Sequence, residues 1–345
     1  MGVKISDIVT KEETSAEALA GKTLAMDAFN TLYQFLTIIR QQDGTPLMDL
    51  GGNVTSHLSG IFYRSINLMQ HNIKLAYVFD GPRPQFKRVT VDARIAAKHI
   101  AEKKREEAIE AGDEAEAKKQ AQMATKLTSE MIDEAKELLQ ALGIPIIQAP
   151  SEGEAQAAYL AKNRDAYASV SQDMDSMLFG APRLVRNLNI TGKRKIPGTT
   201  IYREIKPELI FLDRTLSDLK ITHDQLIILG ILVGTDYNPG GIAGIGQKKA
   251  LKLVLEHKEL DKVMEKVEWN YDLDPQDIFD FFKSPPVLHK YSLDAPAFNR
   301  EKVLELMVEK HNFSRERVES MFAKLDEAAR KRKQTTLGGW GNKVA

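Results

Sequence analysis

A chain of 345 residues is long enough to bury a sizeable core and sits near the length of two domains. Hydrophobic residues make up 43% and charged residues 28%, which excludes wholesale disorder. Lys plus Arg and Asp plus Glu number 48 each, so any basic surface for nucleic acid must be local, and the lack of cysteine excludes disulfides, thiolate metal sites and a cysteine nucleophile.

The N-terminal run Met1-Gly2-Val3-Lys4-Ile5-Ser6-Asp7 has no long apolar stretch. Nothing later approaches the roughly 18 apolar residues of a membrane span, so a cytosolic protein is expected. Gly2 and Ser6 meet the positional requirement for myristoylation, but nothing else points to a membrane. Short apolar runs at 23–26, 75–79, 145–147, 166–170 and 183–186 read as strands that alternate with helical patterns. The fold class is therefore mixed α/β, with a mostly parallel central sheet flanked by helices. Between Phe86 and Gly143 there is no proline and Gly112 is the one glycine, which predicts two helices broken near Gly112. Residues 217–258 read as a helix-loop-helix around a glycine-rich hinge. Residues 331–345 are polar, glycine-bearing and without periodicity, and read as a flexible tail.

The strongest chemical signal is the placement of acids. Asp27 ends the first run and Asp80 the second, Glu152 and Glu154 follow the third, and Asp173 and Asp175 follow the fourth. In a parallel sheet these ends share one edge, where ligand sites of open α/β sheets lie, so six carboxylates are expected in one crevice. Asp236 follows a helix and supplies a seventh. Singly, each acid reads as a helix cap or turn residue. Together they would repel one another unless cations neutralise them, and oxygen-only ligands select hard ions such as Mg²⁺ or Mn²⁺. Such a nest suits two-metal phosphodiester hydrolysis. Asp173-Met174-Asp175 alone also fits an aspartyl phosphatase.

The motifs Val78-Phe79-Asp80-Gly81-Pro82, Ala149-Pro150-Ser151-Glu152-Gly153-Glu154-Ala155-Gln156-Ala157, Ser171-Gln172-Asp173-Met174-Asp175 and Gly234-Thr235-Asp236-Tyr237, with Met1-Gly2-Val3, resemble those of the flap endonucleases. These are structure-specific 5′ nucleases of archaea and eukaryotes, and the resemblance covers essentially the whole chain. It implies a PIN-like nuclease core cutting DNA at the junction of a 5′ flap with duplex, in replication (Okazaki fragment maturation) and repair, with 5′-3′ exonuclease activity. Asp27, Asp80, Glu152 and Glu154 would serve mainly one Mg²⁺, and Asp173, Asp175 and Asp236 the other, with Mn²⁺ as a substitute. Lys87 and Arg94 would act as electrophilic catalysts over the scissile phosphate, and Gly2 would pack near the site.

Under the same resemblance the helical pair is an arch over the active site, although its mixed charges by themselves read as a solvated hairpin. The run from Gly240 to Ala250 looks like a helix-hairpin-helix clamp: Gly244 and Gly246 open backbone amides to a phosphate, Lys248 and Lys249 follow, and K⁺ is the implied ion. Tyr33 is singled out as a base-stacking platform, while Phe35, Leu36, Ile38 and Ile39 beside it read mostly as core. Gln334, Leu337 and Trp340 resemble the box that binds the trimeric sliding clamp (PCNA), with Gly341 where a second aromatic belongs. The resulting division is a nuclease region at 1–98, the arch at 99–130 and an internal nuclease region at 131–258 that holds the helix-hairpin-helix at about 220–258. A helical region at 259–330 and the tail at 331–345 complete it. A monomer on the clamp is expected, cytoplasmic in an archaeon or nuclear in a eukaryote. The competing readings are a 5′ nuclease of gaps or four-way junctions, the phosphatase, and a non-catalytic DNA scaffold.

Overall fold

The computed structural model describes residues 2–41, 43–82, 88–189, 193–195 and 202–338; the side chains of 88–97, 115, 193–195, 202–204, 333 and 335–338 are not among those described. Nine strands occur among these residues: β1 (Lys11–Glu13), β2 (Thr23–Asp27), β3 (Lys74–Phe79), β4 (Ile146–Gln148), β5 (Ala168–Val170), β6 (Arg183–Arg186), β7 (Lys193–Lys195), β8 (Tyr202–Glu204) and β9 (Glu208–Phe211). β7 and β8 pair with each other, and the other seven form one sheet in the order β1-β9-β6-β5-β2-β3-β4. From β6 to β4 every pairing is parallel, with Leu24 opposite Ala168 and Val78 opposite both Asp27 and Ile147. β9 runs antiparallel to both β6 and β1, so the sheet is mostly parallel with an antiparallel edge.

Parallel strands are covered on both faces, which is why β2 and β3 are almost continuous apolar runs. Side chains alternate between faces. Met26, Tyr77 and Phe79 enter a core with α1 (Ala28–Ile38), α2 (Ser56–Gln70) and, past the helices α3 (Arg88–Glu110) and α4 (Glu114–Met123), α5 (Ser129–Ala141). Ala25, Val78 and Ile147 face the other way, onto α6 (Gly153–Lys162). Further along the same face, beyond the short α7 (Asp175–Leu178) and α8 (Leu212–Leu219), lies α9 (His223–Val233), which is apolar all round and buried. Its start is set by a capping box, the Thr222 hydroxyl accepting from the Gln225 N–H while the Gln225 side chain accepts from Thr222.

After α9 come α10 (Gln247–His257), α11 (Leu260–Met264) and α12 (Pro275–Lys283). Residues 285–299 then cross the outside of α6, where the Gln156 carboxamide bonds both the N–H and the C=O of Leu288. The chain closes with α13 (Arg300–Leu304), a π-helical turn (Glu305–Lys310) and α14 (Arg315–Gly338).

The expected arch pair is two helices broken at Gly112, whose φ of +70° suits glycine, with Asp113 capping α4. Three details differ from the sequence reading. The segment from 217 breaks at Lys220, in the left-handed conformation, before α9 begins. Ile38 is 53% exposed instead of joining Phe35 and Leu36 in the core. Residues 331–338, expected to be a structureless tail, prolong α14, because Lys331-Arg332-Lys333-Gln334 are good helix formers and no proline stops them. Trp340 and the rest of the tail lie outside the described residues, and so does Lys87; Arg94 and Leu337 lie on α3 and α14 with their side chains undescribed.

Candidate active site

Level strands bring their carboxyl ends to one edge, and the acids follow. Asp27 is the last residue of β2 and caps α1, its carboxylate accepting the Asn30 N–H at 3.0 Å. Asp80 follows β3 and accepts the Gly153 N–H at 2.7 Å, across from the turn that leads out of β4. A Cβ on Gly153 would sit 2.7 Å from that same Asp80 oxygen and 3.1 Å from the Val78 carbonyl, so glycine lets the turn approach this closely without displacing the carboxylate. Glu152 is the N-cap of α6 and Glu154 lies in its first turn. Asp173 lies in the β5–α7 loop and Asp175 opens α7.

Four of these side chains, Asp80, Glu154, Asp173 and Asp175, are held by donors from other parts of the chain. The Ser176 N–H (2.9 Å) and hydroxyl (2.7 Å) both donate to one oxygen of Glu154. The N-terminal segment, anchored by buried Val3 and Ile5, donates the Gly2 N–H to Asp173 at 2.9 Å and the Val3 N–H to Asp175 at 2.6 Å. Asn30 donates its amide to the other Asp173 oxygen at 3.0 Å. Local sequence does not reveal Asn30, Ser176 or Tyr237 as part of the site. The one retrospective signal is position, since each lies within three residues of an expected acid.

The electrostatics are those of crowded anions. Burial drives the Asp27 carboxyl well above the usual carboxylate range, and Asp80, Asp173 and Glu152 add repulsion. Burial, then Asp175, Asp27 and Asp173, raise Glu154 in the same way, against the Ser176 hydrogen bond. Asp175 is pushed up to about 7 by burial and then by Asp236 and Asp173. Tyr237 is buried beside Glu152, Asp175 and Asp236 and donates to Glu152; burial first, then these anions, place its hydroxyl well above the usual tyrosine range. The seven acids therefore form one connected set of repulsions: Asp27 feels Asp80, Asp173 and Glu152, Glu154 feels Asp175, Asp27 and Asp173, and Asp175 feels Asp236 and Asp173.

A site with this much unbalanced negative charge in a partly buried cleft calls for cations. Its oxygen-only donors fit Mg²⁺ or Mn²⁺ and not softer ions. Among the described residues no three acidic or histidine side chains are drawn into a ready-made coordination sphere.

The DNA-facing candidates lie apart from the acids. Lys98 of α3 holds its ammonium 4.9 Å from the centre of the half-buried Tyr33 ring. In the α9–α10 loop, Ile242 and Ile245 are buried anchors, while Gly244 (φ +72°) and Gly246 are exposed with open space around them. Gly246 is the N-cap of α10 without a side-chain cap, so the first amides of the helix point outward beside exposed Lys248 and Lys249. The Tyr271 hydroxyl bonds the Pro239 and Gly241 carbonyls of the same loop at 2.9 and 2.8 Å.

Comparison with known proteins gives concordant results. Residues 1–101 match the XPG N-terminal domain and 143–236 the XPG I-region. The chain is 54% identical to flap endonuclease 1 of Pyrococcus horikoshii over 99% of this chain and 98% of that one, and 53% identical to that of Pyrococcus furiosus over 99% of each. Among solved structures, flap endonuclease-1 from Methanococcus jannaschii superposes with a TM-score of 0.75 at 40% identity, over 96% of this chain and all of that one. The catalytic core of Rad2 in complex with a DNA substrate, at 23% identity and TM-score 0.70 over 94% of this chain and 100% of that chain, shares the fold.

Proposed function

The chain belongs to the flap endonuclease family, and we propose that its seven clustered acids hold two Mg²⁺ ions at the scissile phosphodiester of a 5′ flap. As a member it is a structure-specific 5′ flap endonuclease, a metal-dependent hydrolase of phosphodiester bonds. The observation that carries the two-ion reading is the crowding of buried Asp27 and Asp175 with half-buried Glu154, each raised by desolvation and by other acids of the set. Asp27, Asp80, Glu152 and Glu154 would hold mainly one ion, and Asp173, Asp175 and Asp236 the other. When bound, such ions lower the pKa of an attacking water and stabilise charge on the phosphoryl group.

The chain's own contribution is placement. The Gly2 and Val3 amides, Asn30 and Ser176 aim the carboxylates. Lys87 and Arg94, from the segment that begins the arch, put fixed positive charge at the phosphoryl oxygens. The exposed amides at Gly244 and Gly246, with Lys248, Lys249 and a K⁺ ion, grip the duplex backbone through charge and shape. Tyr33 stacks a base in exchange for the Lys98 ammonium, which is left beside the adjoining phosphate. Gln334, Leu337 and Trp340 dock a monomer onto the trimeric sliding clamp, which suits flap removal in replication and repair in an archaeal cytoplasm.

The test is cleavage of an end-labelled 5′-flap substrate beside blunt duplex, single strand and a four-way junction, with Mg²⁺ and then EDTA. Release of the flap near its junction only with Mg²⁺ is expected, and Asp173→Ala or Glu152→Ala should abolish it. Full Mg²⁺-dependent cutting by either variant would sink the ligand assignment, and preferential cutting of the four-way junction would overturn the substrate.

A further inference from the structure

We infer that Asn30 is a positioning residue that sets the Asp173 carboxylate against Asp27 across the seam between α1 and the β5–α7 loop, an inference that rests on the reading of these acids as the metal nest. Asn30 uses three polar groups on three partners. Its backbone N–H donates to Asp27 Oδ1 at 3.0 Å, its Nδ2 donates to Asp173 Oδ2 at 3.0 Å, and its Oδ1 accepts the Gln172 N–H at 3.0 Å. The orientation of the amide is not ambiguous: the Gln172 N–H can only donate and an ionised carboxylate can only accept, so oxygen faces the first and nitrogen the second.

The two acids it touches repel each other, Asp173 being one of the groups that raise Asp27. Asn30 aims a donor at each of them, which offsets that repulsion without adding charge. Its anchorage is rigid, since α1 is locked into the core by Leu32, Phe35 and Leu36. The second Asp173 oxygen accepts the Gly2 N–H at 2.9 Å, and the Asp173 N–H donates to Ser171 Oγ at 3.1 Å. With both oxygens oriented by protein donors, the rotation of the carboxylate is determined before any ion arrives. Groups that orient metal-binding side chains in this way are worth about 10- to 100-fold in metal affinity or activity when removed.

The experiment compares Asn30→Ala and the isosteric Asn30→Asp, which keeps the acceptor for Gln172 but turns the donor at Asp173 into a second anion. Mn²⁺ binding to the DNA-free protein is measured by calorimetry, with thermal melting, flap binding in EDTA and single-turnover cleavage across a Mg²⁺ titration. Both variants should bind flap DNA as the wild type does. Asn30→Ala should bind Mn²⁺ about 10-fold or more weakly, and both should cleave about 10-fold or more slowly. A purely structural role would lower the melting temperature and leave the Mn²⁺ affinity of the folded protein unchanged, and that result overturns the inference. Wild-type cleavage by Asn30→Asp at saturating Mg²⁺ overturns it as well, even if Asn30→Ala folds poorly. Asp173→Ala run alongside separates the two levels: if it is inactive while both Asn30 variants are normal, only the positioning role fails, and if it still cuts, the nest reading itself fails.

Discussion

Adding one methyl group at Gly2 should cripple cleavage while leaving the protein folded. A Cβ built there lies 2.6 Å from Asp173 Cβ, 2.9 Å from Asp175 Oδ1 and 3.0 Å from Asp175 Cγ. Carbon atoms in contact prefer about 3.5–4.0 Å, so something must yield by about 1 Å. The N-terminal segment has little room to do so, because Val3 is 3% exposed and Ile5 fully buried. The shift therefore falls on the two acids, and the bonds from the Gly2 and Val3 amides stretch with them. Overpacking of this kind costs about 1–3 kcal/mol of stability, within what a domain tolerates, whereas misplacing reacting groups by about 1 Å can cost on the order of 100-fold in rate. Single-turnover flap cleavage at saturating Mg²⁺, with thermal melting in parallel, measures both. A Gly2→Ala variant that cuts within about twofold of wild type would show that the N-terminal amides do not set the positions of Asp173 and Asp175.

Two further effects are expected away from the acids. Burial holds His57, in α2 against Glu134 and His311, down to about 4 from its ordinary 6.5, so the folded state keeps it neutral where the unfolded chain takes up a proton. Its contribution is complete above pH 6.5 and is lost on acidification, on the order of 3 kcal/mol by pH 4; denaturant unfolding at pH 7 and 4.5 should show the drop, and His57→Asn should flatten it. For Tyr271→Phe, loss of the hydroxyl that holds the Pro239 and Gly241 carbonyls should remove about 1 kcal/mol of loop organisation, or about fivefold in flap affinity, at unchanged kcat. Fluorescence polarisation and steady-state kinetics check this split, and a fall in kcat at constant affinity would detach the loop from duplex binding.

Much of this molecule is legible along the chain because its dominant signals are local. The runs that become β2 to β6 are apolar enough to be buried on both faces, and each of the first four ends close to an acid. Parallel pairing then puts those acids on one edge by geometry alone. The break at Gly112 and the glycine spacing before Lys248 are likewise read from neighbouring residues.

What escaped the sequence depends on partners far away. β1 is Lys11-Glu12-Glu13, exposed and without an apolar residue, and it is a strand because its backbone pairs with β9 some 200 residues later. The Asn30 amide meets Asp173 across 143 positions and Gly2 meets Asp173 across 171. A hydrogen bond is directional over about 3 Å, so it exists only once packing has fixed both groups, and no periodicity or spacing anticipates it. The types of the acids and their order were therefore determined by the sequence. Which way each carboxylate faces, and what holds it there, was decided only when α1, the N-terminal segment and the β5–α7 loop closed on one another.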